Sequence, residues 1–219
     1  MSPKSFLLTE QLHAYLLDHS LPIDDVQRSL IAETAALGGV SGMQIAPEQG
    51  AFFTILTAAL GVRSAVEVGT FTGYSSLCIA RGLADGGHLL CCDVNEEWTA
   101  IARRHWDLAG VADRIELRLA PASETLRSLP DAATIDLAFL DADKKGYRDY
   151  AEQLIRRLRP GGVLLVDNVL WHGTVVDDDG DPSSDASHVR AFNEWLAANK
   201  DVDSVMLPIA DGLTMALRR

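Results

Sequence analysis

Two short segments hold the side chains best suited to chemistry. Asp141-Ala142-Asp143-Lys144 and Asp167-Asn168 each follow directly on an apolar run with the composition of a buried strand. Oxygen-bearing side chains at the carboxyl ends of strands stand where open α/β sheets place their ligands. Two carboxylates and one amide carbonyl supply half of an octahedral shell for a hard cation such as Mg²⁺, with positions left for water and for oxygens of a substrate. Either aspartate alone could be a polar stop where a strand leaves the core; the occurrence of both segments favours the ion.

A third segment, Glu67-Val68-Gly69-Thr70-Phe71-Thr72-Gly73-Tyr74-Ser75, makes a glycine-containing turn from the first strand into a helix. Gly69 and Gly73 would let the backbone approach a ligand at the helix amino terminus. The middle glycine of a G-x-G-x-x-G turn is missing, and Glu67 sits in the turn region, half-buried at some cost. Such an acid repels phosphate and accepts an amino or sulfonium group. Asp93 closes the second strand 26 positions later, where an acid takes hydrogen bonds from ribose hydroxyls. Together the two acids describe a nucleoside without phosphate, with a nicotinamide dinucleotide as the weaker alternative.

These residues must be positioned by an alternating architecture. Strands are expected at 65–68, 88–93, 115–119, 136–141 and 163–167, with helices between them, one opening at Asn95 with Glu96 and Glu97 and another covering 147–158 before Arg159-Pro160-Gly161-Gly162. Repeated βα units imply a doubly wound parallel sheet with helices on both faces. Before them, residues 1–62 form a helical extension: Leu12, Tyr15 and Leu16 share a face, Asp24 caps a second helix that Gly38-Gly39 ends, and Pro47 opens a third that stops at Gly61. Near the end, Ser187 is a candidate helix cap, and Asp211-Gly212 between two apolar runs predicts a hairpin whose last strand runs antiparallel to the rest. The expected organisation is one domain over 1–219, with the core at 63–219. The acidic run at 177–181, Asp177-Asp178-Asp179-Gly180-Asp181, invites a calcium assignment but lacks the alternating ligands and distal Glu of an EF-hand, which favours a solvated loop or lid.

The chain has 219 residues, 47% of them hydrophobic, and a formal charge of −12. That charge repels polyphosphates, which argues against a nucleic-acid partner and for small neutral or cationic ligands. Cys78, Cys91 and Cys92 are odd in number, lack C-x-x-C spacing and lie in apolar segments, as buried thiols of a reducing compartment do. Phe6-Leu7-Leu8 is too short for a signal-peptide core and no run is long and apolar enough to span a bilayer, so a cytoplasmic protein is expected. His13, His88 and His105 show no paired spacing for zinc.

The turn at 67–75, Asp141-Ala142-Asp143-Lys144-Lys145-Gly146-Tyr147, Asp167-Asn168-Val169-Leu170-Trp171 and Asp211-Gly212-Leu213-Thr214 resemble the cation-dependent O-methyltransferases of the caffeoyl-CoA and catechol type, which use S-adenosylmethionine (SAM). The resemblance runs from Lys4-Ser5-Phe6-Leu7 almost to the carboxyl terminus. It implies the Rossmann-like methyltransferase sheet with an antiparallel last strand, a homodimer, and cofactor contacts at Ile45, Glu67, Gly69, Thr70, Ser75, Asp93, Ala122, Asp141, Asp143 and Tyr150. It also implies metal ligation by Asp141, Asp167 and Asn168, with Mg²⁺ or another divalent cation such as Mn²⁺ or Ca²⁺, a catalytic base at Lys144 and substrate contacts at Lys4, Trp171 and His172. His172 departs from the plant members, which carry Asn there, and the 173–186 loop does not match their specificity segment.

The expected reaction is methyl transfer to a catechol-like aromatic diol. A cation polarises one of two neighbouring hydroxyls, Lys144 takes its proton, and the oxyanion attacks the sulfonium methyl in line. Asp141, on the metal and close to the cofactor, would fix the distance between the reactants. Two alternatives stay open at this level, a methyltransferase acting on hydroxylated uridine in tRNA and a nucleoside-binding protein without catalysis.

Overall fold

The computed structural model describes residues 8–177 and 180–219. Three helices precede the sheet: α1 (Glu10–Asp18), α2 (Asp25–Ala35) and α3 (Pro47–Ala59). Local chemistry sets their starts. The Thr9 hydroxyl caps α1; Asp24 caps α2 in a reciprocal box with Gln27; Pro47 occupies the first turn of α3, where its missing N–H costs nothing. Helix α2 stops at Ala35, so Gly38-Gly39 does not end it; the two glycines open a separate 3₁₀ turn, Gly38–Met43. No residue of α1 is fully buried among the described residues, and Leu12 and Tyr15 are exposed, while His13 Nε2 meets Glu48 Oε1 of α3 at 3.0 Å.

The core then alternates β1 (Ser64–Val68), α4 (Tyr74–Gly82), β2 (His88–Asp93), α5 (Glu96–Leu108), β3 (Ile115–Leu119), α6 (Ala122–Ser128), β4 (Ile135–Leu140), α7 (Tyr147–Arg157), β5 (Leu158–Val166), α8 (Asp185–Ala197), β6 (Val202–Leu207) and β7 (Leu213–Arg218). Sheet order is β3-β2-β1-β4-β5-β7-β6, with β7 antiparallel to both neighbours and the other neighbouring pairs parallel. The expected doubly wound sheet with an antiparallel last strand is therefore what forms. Boundaries differ in places. Arg159-Pro160-Gly161-Gly162 lies inside β5 rather than before it, β6 begins three residues earlier than the apolar run suggests, and Ser184, not Ser187, caps α8, its hydroxyl accepting the Ser187 N–H at 3.2 Å.

Strand alternation divides the core. Ala65, Leu89, Cys91, Leu137, Phe139, Val163 and Leu165 face one way and pack with Phe53, Leu77 and Trp106 of α3, α4 and α5. Val66, Val68, Leu90, Ala138, Leu140, Leu164 and Val166 face the other way onto Leu126, Leu154 and Phe192 of α6, α7 and α8. Burial on both faces explains why these strands read as continuous apolar runs. The ladder extends one residue beyond β4 and β5: the Asp141 N–H donates to Val68 O at 2.9 Å and the Asp167 N–H to Leu140 O at 3.0 Å. Period-two alternation thus keeps Glu67, Asp141 and Asp167 on the α3/α4 face, at one end of the sheet.

Candidate active site

Lys144 organises the site. It opens a 3₁₀ turn (Lys144–Gly146) and is only 8% exposed. Its Nζ donates to Asp141 Oδ1 at 3.0 Å, to Asn168 Oδ1 at 2.7 Å and to the Tyr147 hydroxyl oxygen at 2.5 Å. Tyr147 passes its own proton to the Asp167 carbonyl oxygen at 3.1 Å. Burial, with Asp141 and Asp167 nearby, pushes the Tyr147 hydroxyl far above the usual range, so it stays a donor. Tyr147 was not anticipated as a site residue, although its Lys-x-x-Tyr spacing lies in plain view.

Asp167 is 3% exposed, and Oδ1 accepts the Asn168 N–H at 2.8 Å. Burial pushes its carboxyl up, and the negative charge of Asp141 adds to this; the Asn168 N–H, the Gln49 amide and Lys144 act in the opposite sense. Two carboxylates and an amide oxygen are thus gathered where the sequence places them, with an ammonium bridging two of the three. Among the described residues no three His, Cys, Asp or Glu side chains converge; this donor set has two carboxylates, and its third oxygen is an amide's.

Asn168 has φ 54°, which brings its side chain back over the strand ends, and Trp171 and His172 have φ 45° and 55°. Left-handed backbone is tolerable for Asn but strained for Trp, at a cost on the order of 1–3 kcal/mol. The hairpin turn before β7 over-determines it: Asp211 accepts the Leu170 N–H on its carbonyl at 3.0 Å and the His172 N–H on Oδ1 at 2.6 Å. The Trp171 ring centroid ends 5.4 Å from Lys144 Nζ. The His172 imidazole is 78% exposed, with Nδ1 3.7 Å from Asp211 Oδ2. Lys4 lies outside the described residues.

The second half of the site adjoins the first through Gly69. A side chain there would place Cβ 1.7 Å from the Asp141 carbonyl oxygen, and φ is +90°. A glycine is required there because the turn after β1 lies against β4. Gly73 (φ +85°) is similar, its missing Cβ making room for Ala102 and Trp106 of α5. Glu67 is placed differently from the sequence expectation: it belongs to β1, not to the turn, and is wholly buried rather than half-buried. Its Oε1 has no partner and Oε2 accepts the Cys91 thiol at 3.4 Å. Burial pushes its carboxyl up to about 7, although polar side chains of Ser75, Cys91, Thr70 and Ser76 pull it down. Thr70 Oγ1 beside it is also buried and unpartnered.

Asp93 accepts the Thr70 and Phe71 N–H groups on Oδ2 at 2.9 and 2.8 Å, and those of Val94 and Asn95 on Oδ1 at 2.7 and 2.8 Å. Both carboxylate oxygens are engaged by two turns, so Asp93 holds the loop together. Asp143 Oδ2 accepts the Gly146 N–H at 2.9 Å, and Oδ1 the Tyr150 hydroxyl at 2.8 Å. Ser75 is in the first turn of α4, Ala122 starts α6 beyond β3, and Ile45 is packed into the core ahead of α3. In the 173–186 loop, Asp178 and Asp179 lie outside the described residues, and Asp181 Oδ1 is taken by the N–H and hydroxyl of Ser183.

Residues 18–219 match the model of a family described as O-methyltransferase. A Dictyostelium discoideum protein named Probable caffeoyl-CoA O-methyltransferase 1 is 39% identical over 207 residues, 93% of this chain and 90% of that one. The O-methyltransferase of Bacillus cereus, solved in complex with SAH, is 30% identical with a TM-score of 0.85 over 95% of this chain and 97% of that one. TomG of Streptomyces achromogenes, an O-methyltransferase involved in tomaymycin synthesis and solved in complex with SAM, is 29% identical with a TM-score of 0.85 over 96% and 99%.

Proposed function

Since the chain belongs to the O-methyltransferase family and takes its methyl group from SAM, we propose that its acceptor is a small aromatic molecule with two neighbouring hydroxyls. Asp141, Asp167 and Asn168 would hold a divalent cation, Mg²⁺ or a similar ion. The observation that carries this reading is the bridging ammonium: Asp141 Oδ1 and Asn168 Oδ1 lie 3.0 and 2.7 Å from one positive centre, with Asp167 adjoining. A donor set of hard oxygens suits such an ion. The caffeoyl group in the names of relatives carries vicinal ring hydroxyls, which agrees with a phenolic acceptor.

When bound, the ion would supply Lewis-acid polarisation of a hydroxyl oxygen. Lys144 Nζ is the group placed to take the proton of an acceptor hydroxyl, whose oxygen then displaces the methyl from the sulfonium and leaves S-adenosylhomocysteine. Tyr147 aims Nζ, because its own proton is spent on Asp167 O and its oxygen can only accept from the lysine. Trp171 offers an aromatic wall beside Nζ. The SAM site is assigned to Ile45, Glu67, Gly69, Thr70, Ser75, Asp93, Ala122, Asp143 and Tyr150, with the Glu67 carboxylate facing the positive charge of the cofactor. Packing of Gly69 on the Asp141 carbonyl fixes the spacing between the cofactor turn and the acceptor. Such orientation can supply roughly 7–11 kcal/mol of the barrier.

Labelled methyl transfer from SAM tests the acceptor. Transfer is expected to a catechol, and not to the same ring with one hydroxyl or to bulk RNA. Equal transfer to the single hydroxyl removes the need for a diol; transfer to RNA alone replaces the acceptor.

A further inference from the structure

Glu67 is wholly buried in β1, and its neighbours in the sheet limit what can hold its carboxylate. The residues two before and two after it, Ala65 and Gly69, have no side-chain donor. Across the sheet Glu67 pairs with Cys91 of β2 on one side and with Phe139 of β4 on the other. Of these four neighbours only Cys91 carries a side-chain proton to give. The thiol is itself fully buried on the same face and donates to Glu67 Oε2 at 3.4 Å. Burial, and then the charge of Glu67, push the thiol well above its usual range, so it remains a donor and is no nucleophile. The other oxygen, Oε1, has no partner in the polypeptide. A bare carboxylate oxygen in a closed interior destabilises the fold unless a cationic group meets it.

We propose that Cys91 is a positioning residue for the cofactor site: by donating its S–H to Oε2 it fixes the Glu67 carboxylate with Oε1 left free for the positive charge of the cofactor. The inference rests on the assignment of Glu67 to the SAM site above. It accounts for a thiol set beside a carboxylate in the core. A thiol is readily buried as a small apolar group, and its single proton engages one oxygen and leaves the other open.

The test is a double-mutant cycle read by calorimetric titration with SAM, in the parent, Cys91→Ala, Glu67→Gln and the variant carrying both changes. The infrared S–H stretching band of Cys91 is taken as the difference between the parent and Cys91→Ala, and again between Glu67→Gln and the double variant. Expected are SAM binding about 3–10-fold weaker in Cys91→Ala, the range of one ordinary hydrogen bond, and no further loss when Cys91→Ala is added to Glu67→Gln. The Cys91 band is expected to move to higher frequency once the carboxylate is replaced. Parent-like affinity in Cys91→Ala beside a weakened Glu67→Gln overturns the role of Cys91 and leaves Glu67 in the cofactor site. Parent-like affinity in Glu67→Gln removes Glu67 from that site and this role with it. An equal loss from Cys91→Ala in both backgrounds makes the thiol a packing residue, and an unmoved band shows that it does not bond the carboxylate; either result overturns the proposal.

Discussion

Lys144→Met is expected to lower kcat for methyl transfer to a catechol by about 10²–10⁴-fold, the range for loss of a positioned general base. Methionine keeps much of the apolar stem beside Trp171 and removes the proton acceptor. The affinity for S-adenosylhomocysteine should not change, because Lys144 contacts Asp141, Asn168 and Tyr147 and not the turn after β1. Divalent-ion affinity should rise. The ammonium sits between Asp141 and Asn168, and a divalent ion and a unit positive charge about 4 Å apart repel by about 8 kcal/mol at an effective dielectric of 20. A variant that binds the ion more tightly and turns over far more slowly separates a base from a residue that merely shapes the site. Full kcat in Lys144→Met would remove Lys144 from the chemistry, and a fall in kcat matched by loss of ion binding would make its role structural.

Glu67→Gln is expected to trade cofactor binding for stability. The native carboxyl is buried, with one oxygen unpartnered, and its pKa rises from 4.5 to about 7. Between those values the folded chain keeps a proton that the unfolded chain has lost, so stability falls as pH climbs through this window and the penalty is complete above about 7. At 1.36 kcal/mol per pH unit this penalty is on the order of 3 kcal/mol. Glutamine removes the charge and keeps the shape, and the surrounding hydroxyls can serve its amide. Cofactor-free Glu67→Gln should therefore melt above the parent at pH 8 and close to it at pH 5. Its affinity for SAM should fall on the order of 10–100-fold, given about 1.5–3 kcal/mol for a hydrogen bond to a charged group. Parent affinity for SAM should itself weaken as pH drops through about 7, where the carboxylate is protonated. Thermal scans at the two pH values with calorimetric SAM titrations measure all three. Unchanged SAM affinity in Glu67→Gln would take Glu67 out of the cofactor site.

Much of this arrangement was legible in the sequence because strands buried on both faces leave long apolar runs, and the acids that end them are conspicuous. Asp93, Asp141 and Asp167 could be placed at strand tips on that basis, and the Asp211-Gly212 turn foretold the antiparallel β7. Glu67 could not be placed the same way. One charged residue inside an apolar strand looks like the start of a turn, and only the pairing of β1 with both β2 and β4 shows it sealed in the core. The packing roles of Gly69 and Gly73 were hidden for a related reason: a glycine in a turn signals close approach, but not that the Asp141 carbonyl and the Trp106 ring are among the groups approaching. For Tyr147 the Lys-x-x-Tyr spacing was visible, but only the way α7 meets the strand tips turns its hydroxyl between Lys144 Nζ and the Asp167 carbonyl. Ser184 and Ser187 are equally good caps by composition, and it is Ser184 that takes the extended backbone and accepts the Ser187 N–H.

The central claim is that an ion gripped by Asp141, Asp167 and Asn168 prepares the acceptor for methyl transfer. Turnover of a catechol by the intact protein, before and after EDTA and again after Mg²⁺ is restored, addresses it most directly. Loss of methylation in EDTA and its return with Mg²⁺ is the expected result. Undiminished turnover in EDTA would contradict the claim.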